Sequence, residues 1–425
     1  MKPPAPPVHD DPELAARAGA LAVLEAALER RGGLDESLAA APFMRLAPQQ
    51  RAFARAIVLM TLRRLGPIDR ALDSRLQREP PARAHYLLRM GAAQLFYMDT
   101  PDFAAVDTTV NLAPKPLRGL INAVLRGLQR QPPPPPGPED HAPPWLFARW
   151  RAAYGAEADQ IAAMIPEEPA TDLTFKDPAD AAALAGALEG QVLPGGSLRS
   201  ALRGDVAGWD GFHEGRWWVQ DAAAAIPARI LKLEAGQTAL DMCAAPGGKT
   251  FQMAAAGAQV TALDRSAGRL KRVIESLKRL GLTAETHAAD AANWTDGRLF
   301  DAVLLDAPCS ATGTFRRHPD VLWNARPGDI PRLAEAQARL LDSAAKRTAP
   351  GGVLAYSVCS LEPEEGEAQV AGFLARHGEF QLEPVTAGEG GAPAASVRKD
   401  GTLRILPHHI EGGLDGFFVA RFRRA

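Results

Sequence analysis

At 425 residues the chain is long enough for two or three domains, and 46% hydrophobic with 23% charged residues is the make-up of a globular protein. No apolar run approaches the roughly 18 residues that a membrane span needs, and the opening MKPPAPPVHDDPELAAR lacks the apolar centre of a signal peptide, so a cytoplasmic protein is expected. Three cysteines, Cys243, Cys309 and Cys359, without any CxxC or Cys/His cluster, exclude a disulfide framework and point to no metal.

The net charge of −2 is unevenly spread. Residues 1–131 hold 18 Lys and Arg against 13 Asp and Glu, a balance of +5 that leaves −7 on the remainder. A basic module joined to a mildly acidic one fits an RNA-contacting appendage.

Residues 12–131 read as all helical. Leu14, Ala18, Leu21, Leu24 and Leu28 keep a 3.6-residue stripe, and Phe53, Ile57, Val58 and Leu62 keep another. Gly32-Gly33, Gly66-Pro67 and Pro80-Pro81 interrupt the runs, as in a bundle of short helices. The segments Pro101–Asp107 and Gly119–Arg126 resemble those of the NusB-like RNA-binding helical domain. Pro132 to Pro136, extended by Gly137, Pro138 and Pro143-Pro144, favours polyproline II and reads as a linker over 132–144.

From Trp145 to about 235 the pattern is that of a small α/β subdomain, with a strand over Asp172–Lys176 and helices over Ala179–Ala187 and Ala222–Leu233. Residues 236–425 then alternate strand and helix in the manner of a doubly wound sheet. The expected strands are Thr238–Cys243, Gln259–Asp264, Glu285–Ala289, Ala302–Asp306 and Gly352–Ser357. Helices are expected over Lys249–Ala256, Ala267–Leu280, Ile330–Thr348 and Pro363–His377, and Gly416–Phe422 is expected as an edge strand.

The first of these strands runs into Asp241-Met242-Cys243-Ala244-Ala245-Pro246-Gly247-Gly248-Lys249-Thr250. A glycine-containing turn between strand and helix presents free N–H groups to a ligand. A nucleoside triphosphate, a dinucleotide and S-adenosylmethionine all fit such a turn. GxxxxGK[ST] requires glycine where Cys243 stands, and GxGxxG is absent, which leaves S-adenosylmethionine as the best fit. Asp264, about 20 residues on, is placed for ribose hydroxyls. Asp290, after the third strand, is placed to reach an adenine amino group.

The fourth strand ends in Asp306-Ala307-Pro308-Cys309-Ser310, followed by Arg316-Arg317-His318 and Trp323. Sites in α/β sheets lie outside the carboxyl ends of strands, and a carboxylate, a thiol and a cationic, aromatic loop together suggest a nucleobase substrate. The fifth strand ends in Cys359-Ser360-Leu361-Glu362-Pro363-Glu364-Glu365, from the adjacent position. With these motifs in order and at these spacings, nearly the whole chain resembles the RNA (cytosine-C5) methyltransferases. It is most similar to the bacterial small-subunit ribosomal RNA enzymes with a NusB-like N-terminal domain.

The resemblance implies a Rossmann-like class I methyltransferase core with a small α/β subdomain, preceded by an all-α NusB-like domain. It implies S-adenosylmethionine as cofactor, held by Cys243 to Lys249 (Ala244, Ala245, Pro246, Gly247 and Gly248 between them), Asp264, Asp290 and Asp306. It implies Cys359 as the nucleophile, Cys309 in product release, Asp306 on the base and Lys249 touching cofactor or base. Ribosomal RNA is the implied partner, with transfer RNA as the alternative substrate and a noncatalytic assembly factor as the alternative class. Arg316, Arg317 and His318 are candidates for gripping the RNA backbone. One departure is that Leu173-Thr174-Phe175-Lys176 stands where the family commonly has a Leu-Arg-Val-Asn-like strand.

Overall fold

The computed structural model describes residues 12–29 and 33–425. They form two compact units: residues up to 167 together with 315–325, and residues 168–314 together with 326–425.

The first unit is helical, built mainly on Pro12–Leu24, Pro48–Arg63, Ala82–Tyr97, Asp102–Leu112 and Arg118–Arg130. Its centre gathers Leu21, Leu24, Ile57, Leu62, Leu87 and Leu125, so the two apolar stripes face inward as their spacing requires. The proline run has neither helix nor strand, yet the units divide at 167/168 and not there. Two further helices, Pro144–Tyr154 and Glu157–Ala163, belong to the first unit and bury Leu146, Trp150 and Ile161. Arg70 pairs with Asp140 at 2.6 Å, which ties the residues after the prolines back to the bundle.

The second unit carries two sheets. The smaller is antiparallel, in the order β2 (Gly190–Val192), β3 (Leu198–Ser200), β1 (Thr171–Phe175), β4 (Trp217–Val219). It buries Leu173, Phe175, Leu198 and Trp217 on one side. The fully buried Asp172 of β1 is gripped by both arms of Arg199 at 2.8 and 2.9 Å, a geometry that offsets the cost of burying charge.

The larger sheet contains β5 (Thr238–Met242), β6 (Gln259–Asp264), β7 (Glu285–Ala288), β8 (Phe300–Asp306), β9 (Thr348–Val358), β10 (Phe380–Leu382), β11 (Leu403–Ile405) and β12 (Phe417–Arg424). Its order is β10-β12-β9-β8-β5-β6-β7, with β11 also paired to β12. Strands β5 to β9 are parallel neighbours, and helices such as Gly248–Ala255, Ala267–Leu280 and Asp329–Arg347 connect them. Ser266 caps the second of these and Gly281, at φ 63°, ends it, so its bounds match the expected ones.

The last strand is not at an edge. β12 runs antiparallel to β9 and is flanked on its other side by β10 and β11. Phe417 to Phe422 are all buried, which an edge strand with one solvated flank does not demand. Among the described residues no helix is long and apolar enough to cross a membrane.

Candidate active site

Chain order runs outward from β5 through β6 to β7, then returns to β8 on the other flank of β5. The sheet therefore reverses direction between β5 and β8, and the crevice beyond their carboxyl ends is where open α/β sheets bind ligands. All three cysteines lie at that rim.

On the β5 side the chain turns sharply. Cys243 has φ 65° and Gly247 has φ 110°, and the helix Gly248–Ala255 starts at once. A β-carbon at Gly247 would meet the Phe251 ring at 2.4 Å, so both conformation and space require glycine there. Ala244 N–H donates to the Leu263 carbonyl at 2.7 Å and Ala245 N–H to Asp264 Oδ2 at 3.1 Å, which lashes the turn to the end of β6. Asp264, 2% exposed, also accepts from Ser266 N–H at 2.8 Å and faces Arg269 at 3.4 Å; Arg269 reaches the Ala245 carbonyl as well.

At the foot of this turn Thr250 Oγ1 donates to Asp241 Oδ2, whose other oxygen is buried without a hydrogen-bond partner. Burial, with the carboxylates of Asp306 and Asp264 against it, pushes Asp241 up to about 7 despite Thr250 and Lys249. Burial also pushes the Cys243 thiol up to about 12, with Asp306, Asp264 and Asp241 adding to it. A thiol held protonated in this way is no nucleophile.

On the β8 side the parallel register sets Asp306 opposite Ser357 of β9. Ser357 Oγ donates to Asp306 Oδ1 at 2.8 Å, and Lys249 Nζ donates to Asp306 Oδ2 at 2.7 Å. Lys249 comes from the start of the helix after the glycine turn, so one salt bridge joins the two halves of the crevice. Burial alone would strip the Lys249 proton, but the charge and hydrogen bond of Asp306, with Cys359 behind them, outweigh it and raise its affinity for the proton. The ammonium also sits over the Phe417 ring, 5.4 Å from its centre.

Three residues beyond Asp306 and two beyond Ser357, the paired strands deliver Cys309 and Cys359 to the same point. Their sulfurs are 3.5 Å apart and hydrogen-bonded. That bond with Cys359, then burial, then the charges of Cys359 and Glu365 hold the Cys309 thiol well above its usual range. Gly313 N–H donates to the Cys359 carbonyl at 3.0 Å, and a β-carbon on Gly313 would meet the Gly416 carbonyl oxygen at 2.2 Å. The Cys309 turn is thus packed backbone to backbone against its neighbours.

Of the residues expected from sequence, Cys359, Cys309, Asp306 and Lys249 converge, with the turn from Cys243 to Gly248 and Asp264 alongside. Asp290, just past β7 on the cofactor side of the sheet, is exposed. Its oxygens accept from Ala292 N–H at 3.1 Å and Asn293 Nδ2 at 2.7 Å, so it caps its own turn. In the basic loop the expectation for Arg316 is corrected, while Arg317 and His318 are half-buried. Arg316 is 1% exposed, its carbonyl accepts from Arg63 at 2.8 Å, and His318 faces Asp35 at 3.6 Å, all within the helical unit. A buried guanidinium is not available to a phosphate. Trp323 donates its N–H to the Leu62 carbonyl at 3.1 Å, which makes it a packing residue of that unit.

Sequence reasoning did not single out Ser357, Arg269, Phe417, Thr250 with Asp241, or the carboxylate of Glu365. Ser310, Ser360 and Glu365 lay inside the recognised motifs, and their polarity beside the cysteines was the available signal. Phe417 gave none, because only the insertion of β12 beside β9 brings it to the crevice.

A parallel sheet whose strand order reverses between β5 and β8, with a glycine turn and the buried carboxylate of Asp264 at that reversal, defines a Rossmann-like methyltransferase that uses S-adenosylmethionine. The residues fit that cofactor: the glycine turn would hold its carboxylate with backbone N–H groups left free at Gly247 and Gly248, and Asp264 would accept from its hydroxyls. Comparison with known proteins agrees. Residues 228–423 match the family described as 16S rRNA methyltransferase RsmB/F, and residues 14–130 match the NusB family. The ribosomal RNA small subunit methyltransferase B of Vibrio cholerae serotype O1 is 37% identical, over 95% of this chain and 96% of its own. That of Xanthomonas campestris pv. campestris is also 37% identical, over 97% and 98%. The crystal structure of PH0851 shares the fold with a TM-score of 0.81 at 23% identity, over 98% of this chain and 100% of that one. A methyltransferase homolog from Pyrococcus horikoshii gives a TM-score of 0.56 at 26% identity, over 66% and 95%. The chain belongs to the RsmB/F family of methyltransferases and carries a NusB-family region before the catalytic unit.

Proposed function

We propose that this chain methylates carbon 5 of one cytosine in small-subunit ribosomal RNA, through a transient bond between Cys359 and carbon 6, and that it works in the cytoplasm on that RNA. The observation that carries the reading is the pair of thiols 3.5 Å apart at the ends of two adjacent parallel strands, beside the Lys249–Asp306 ion pair.

Carbon 5 of cytosine is a poor nucleophile. When the Cys359 thiolate bonds to carbon 6, the C5–C6 π pair moves toward carbon 5, and one hard step becomes two easier ones. Asp306 accepts a hydrogen bond from the ring's protonated N3 or its exocyclic amine as that charge shifts. Lys249 supplies the positive charge a reacting thiolate needs nearby. When bound, S-adenosylmethionine supplies the electrophilic methyl group that carbon 5 takes. A water molecule acting as base then takes the carbon 5 proton, the electron pair of that C–H bond restores the C5–C6 double bond, and the Cys359–C6 bond breaks with its electron pair returning to sulfur. Cys309, which keeps its proton, offers its S–H to the departing thiolate and assists release.

A base stacked in a helix cannot present carbon 6 to sulfur, so the target is unstacked or flipped. The NusB-family region, with its excess of Lys and Arg, is the RNA-contacting module. The test is to map 5-methylcytosine in 16S and transfer RNA from cells with and without the gene. Loss of one 16S site supports the proposal, loss confined to transfer RNA overturns the substrate, and no loss overturns the reaction.

A further inference from the structure

Glu365 lies six residues past Cys359 and is fully buried, yet the salt bridges that organise the crevice do not include it. Its carboxylate instead collects donors. Oε1 accepts from the Ser310 backbone N–H at 3.0 Å and from Gln337 Nε2 at 2.9 Å. Oε2 accepts from the hydroxyls of Ser310 and Ser360. Four donors converge on one side chain, and an ionised carboxylate is the side chain that accepts all four at once. Ser310 directly follows Cys309, and Ser360 directly follows Cys359. The two serine oxygens are themselves 2.9 Å apart, and the Tyr356 hydroxyl holds the Glu365 carbonyl at 2.6 Å.

The two cysteines depend on this clamp unequally. Cys359 follows β9 immediately, and β9 is paired on both flanks up to that point: Ser357 with Asp306 of β8, and Val358 with Phe418 of β12. Cys309 sits three residues beyond the end of β8, in an irregular turn that includes Ala311 at φ 57°. The sheet therefore places Cys359, whereas the turn after Pro308 lies outside the sheet and is held near Cys309 by what Ser310 binds and farther on by the Gly313 backbone. Gln337 reinforces the point by donating to the Pro308 carbonyl at 3.0 Å as well as to Glu365.

We propose that Glu365 is the positioning residue of the thiol pair: its carboxylate fixes the Cys309 turn against Cys359 and so governs release of the methylated base, not the attack. This rests on the release role given to Cys309 above. The negative charge of Glu365 beside Cys309 works in the same sense, since it favours the protonated thiol.

The test uses full-length enzyme, a 16S rRNA transcript and labelled S-adenosylmethionine, and compares Glu365→Gln with Cys309→Ala and the double variant. Adduct is read on denaturing gels and turnover by methyl incorporation. Glu365→Gln keeps the shape and loses the charge. It is expected to lower kcat about tenfold to a hundredfold, the scale of a small misplacement of a reacting group, with the KM for S-adenosylmethionine unchanged. Adduct then accumulates while its rate of formation stays near that of the parent enzyme. In the Cys309→Ala background the same change adds nothing, because the residue it positions is gone.

Calorimetric binding of S-adenosylmethionine confirms an intact fold. Should Glu365→Gln fail that check, Ser360→Ala removes one donor and is expected to give the same accumulation, more weakly. Equal slowing of adduct formation and turnover, or additive losses in the double variant, overturns the proposal. If Cys309→Ala traps no adduct, the Cys309 assignment fails on its own evidence and the role of Glu365 in release falls with it.

Discussion

Two cysteines of the crevice sit in different surroundings. At the end of β5, Cys243 is shut in among three carboxylates, and its thiol is pushed up to about 12. Across β8, at the end of β9, Cys359 faces a second thiol and an ammonium that its ion pair keeps charged. Strand geometry is common to both. The difference lies in the neighbours: three carboxylates bear on Cys243, whereas Lys249 and a second thiol bear on Cys359. A cysteine at a strand end is therefore no sign of reactivity until its neighbours are known.

The contrast can be broken most directly at Cys359. Cys359→Ala is expected to abolish methylation, by roughly a thousandfold or more, as loss of a covalent nucleophile does, and to leave no RNA adduct on denaturing gels. Cys309→Ala is expected to slow turnover less and to accumulate an adduct that survives denaturation; exchanged phenotypes would reverse the two roles. On the cofactor flank, Asp264→Asn sets an amide where N–H donors already point. It should weaken S-adenosylmethionine binding in calorimetry by about tenfold, the equivalent of one hydrogen bond.

A subtler test concerns Asp241, whose value of about 7 stands above its ordinary 3.8. Its contribution to stability is full below the ordinary value and is lost as pH rises through 7, because a carboxylate with one unpartnered oxygen must then ionise in a buried place. Asp241→Asn should therefore gain a few degrees of Tm over the parent at pH 8, with the gain vanishing near pH 4. The smallest effect is expected from Cys243→Ala, within about twofold of the parent in methylation, since a thiol held protonated contributes little chemistry. A large loss there would erase the distinction between the flanks.

A second comparison lies within one stretch of sequence. Phe300 to Thr314 belongs to the catalytic unit and Phe315 to Ala325 to the helical one. Asp306 and Cys309 were legible because an apolar strand that ends in a carboxylate and a thiol has few other uses. The basic loop that follows was read as an RNA grip from its composition, yet Arg316 is buried and Trp323 binds a helix carbonyl. For Arg316 that reading fails, because burial within the helical unit keeps its guanidinium from a phosphate.

The chain by itself determined the alternation of strand and helix, the turn from Cys243 to Lys249, and the two cysteine motifs, because periodicity and turn chemistry are local properties. Helix bounds such as Ala267–Leu280 were readable for the same reason, Ser266 and Gly281 being caps. Only the tertiary structure decided that β12 enters the sheet beside β9 and that Glu365 gathers both cysteine turns. It also decided which charges gather around each sulfur. Those outcomes depend on residues as many as 168 positions apart, such as Lys249 and Phe417, and on burial that no short window of sequence contains. Spacing brought the three thiols to one rim, and the surrounding charges divided their work.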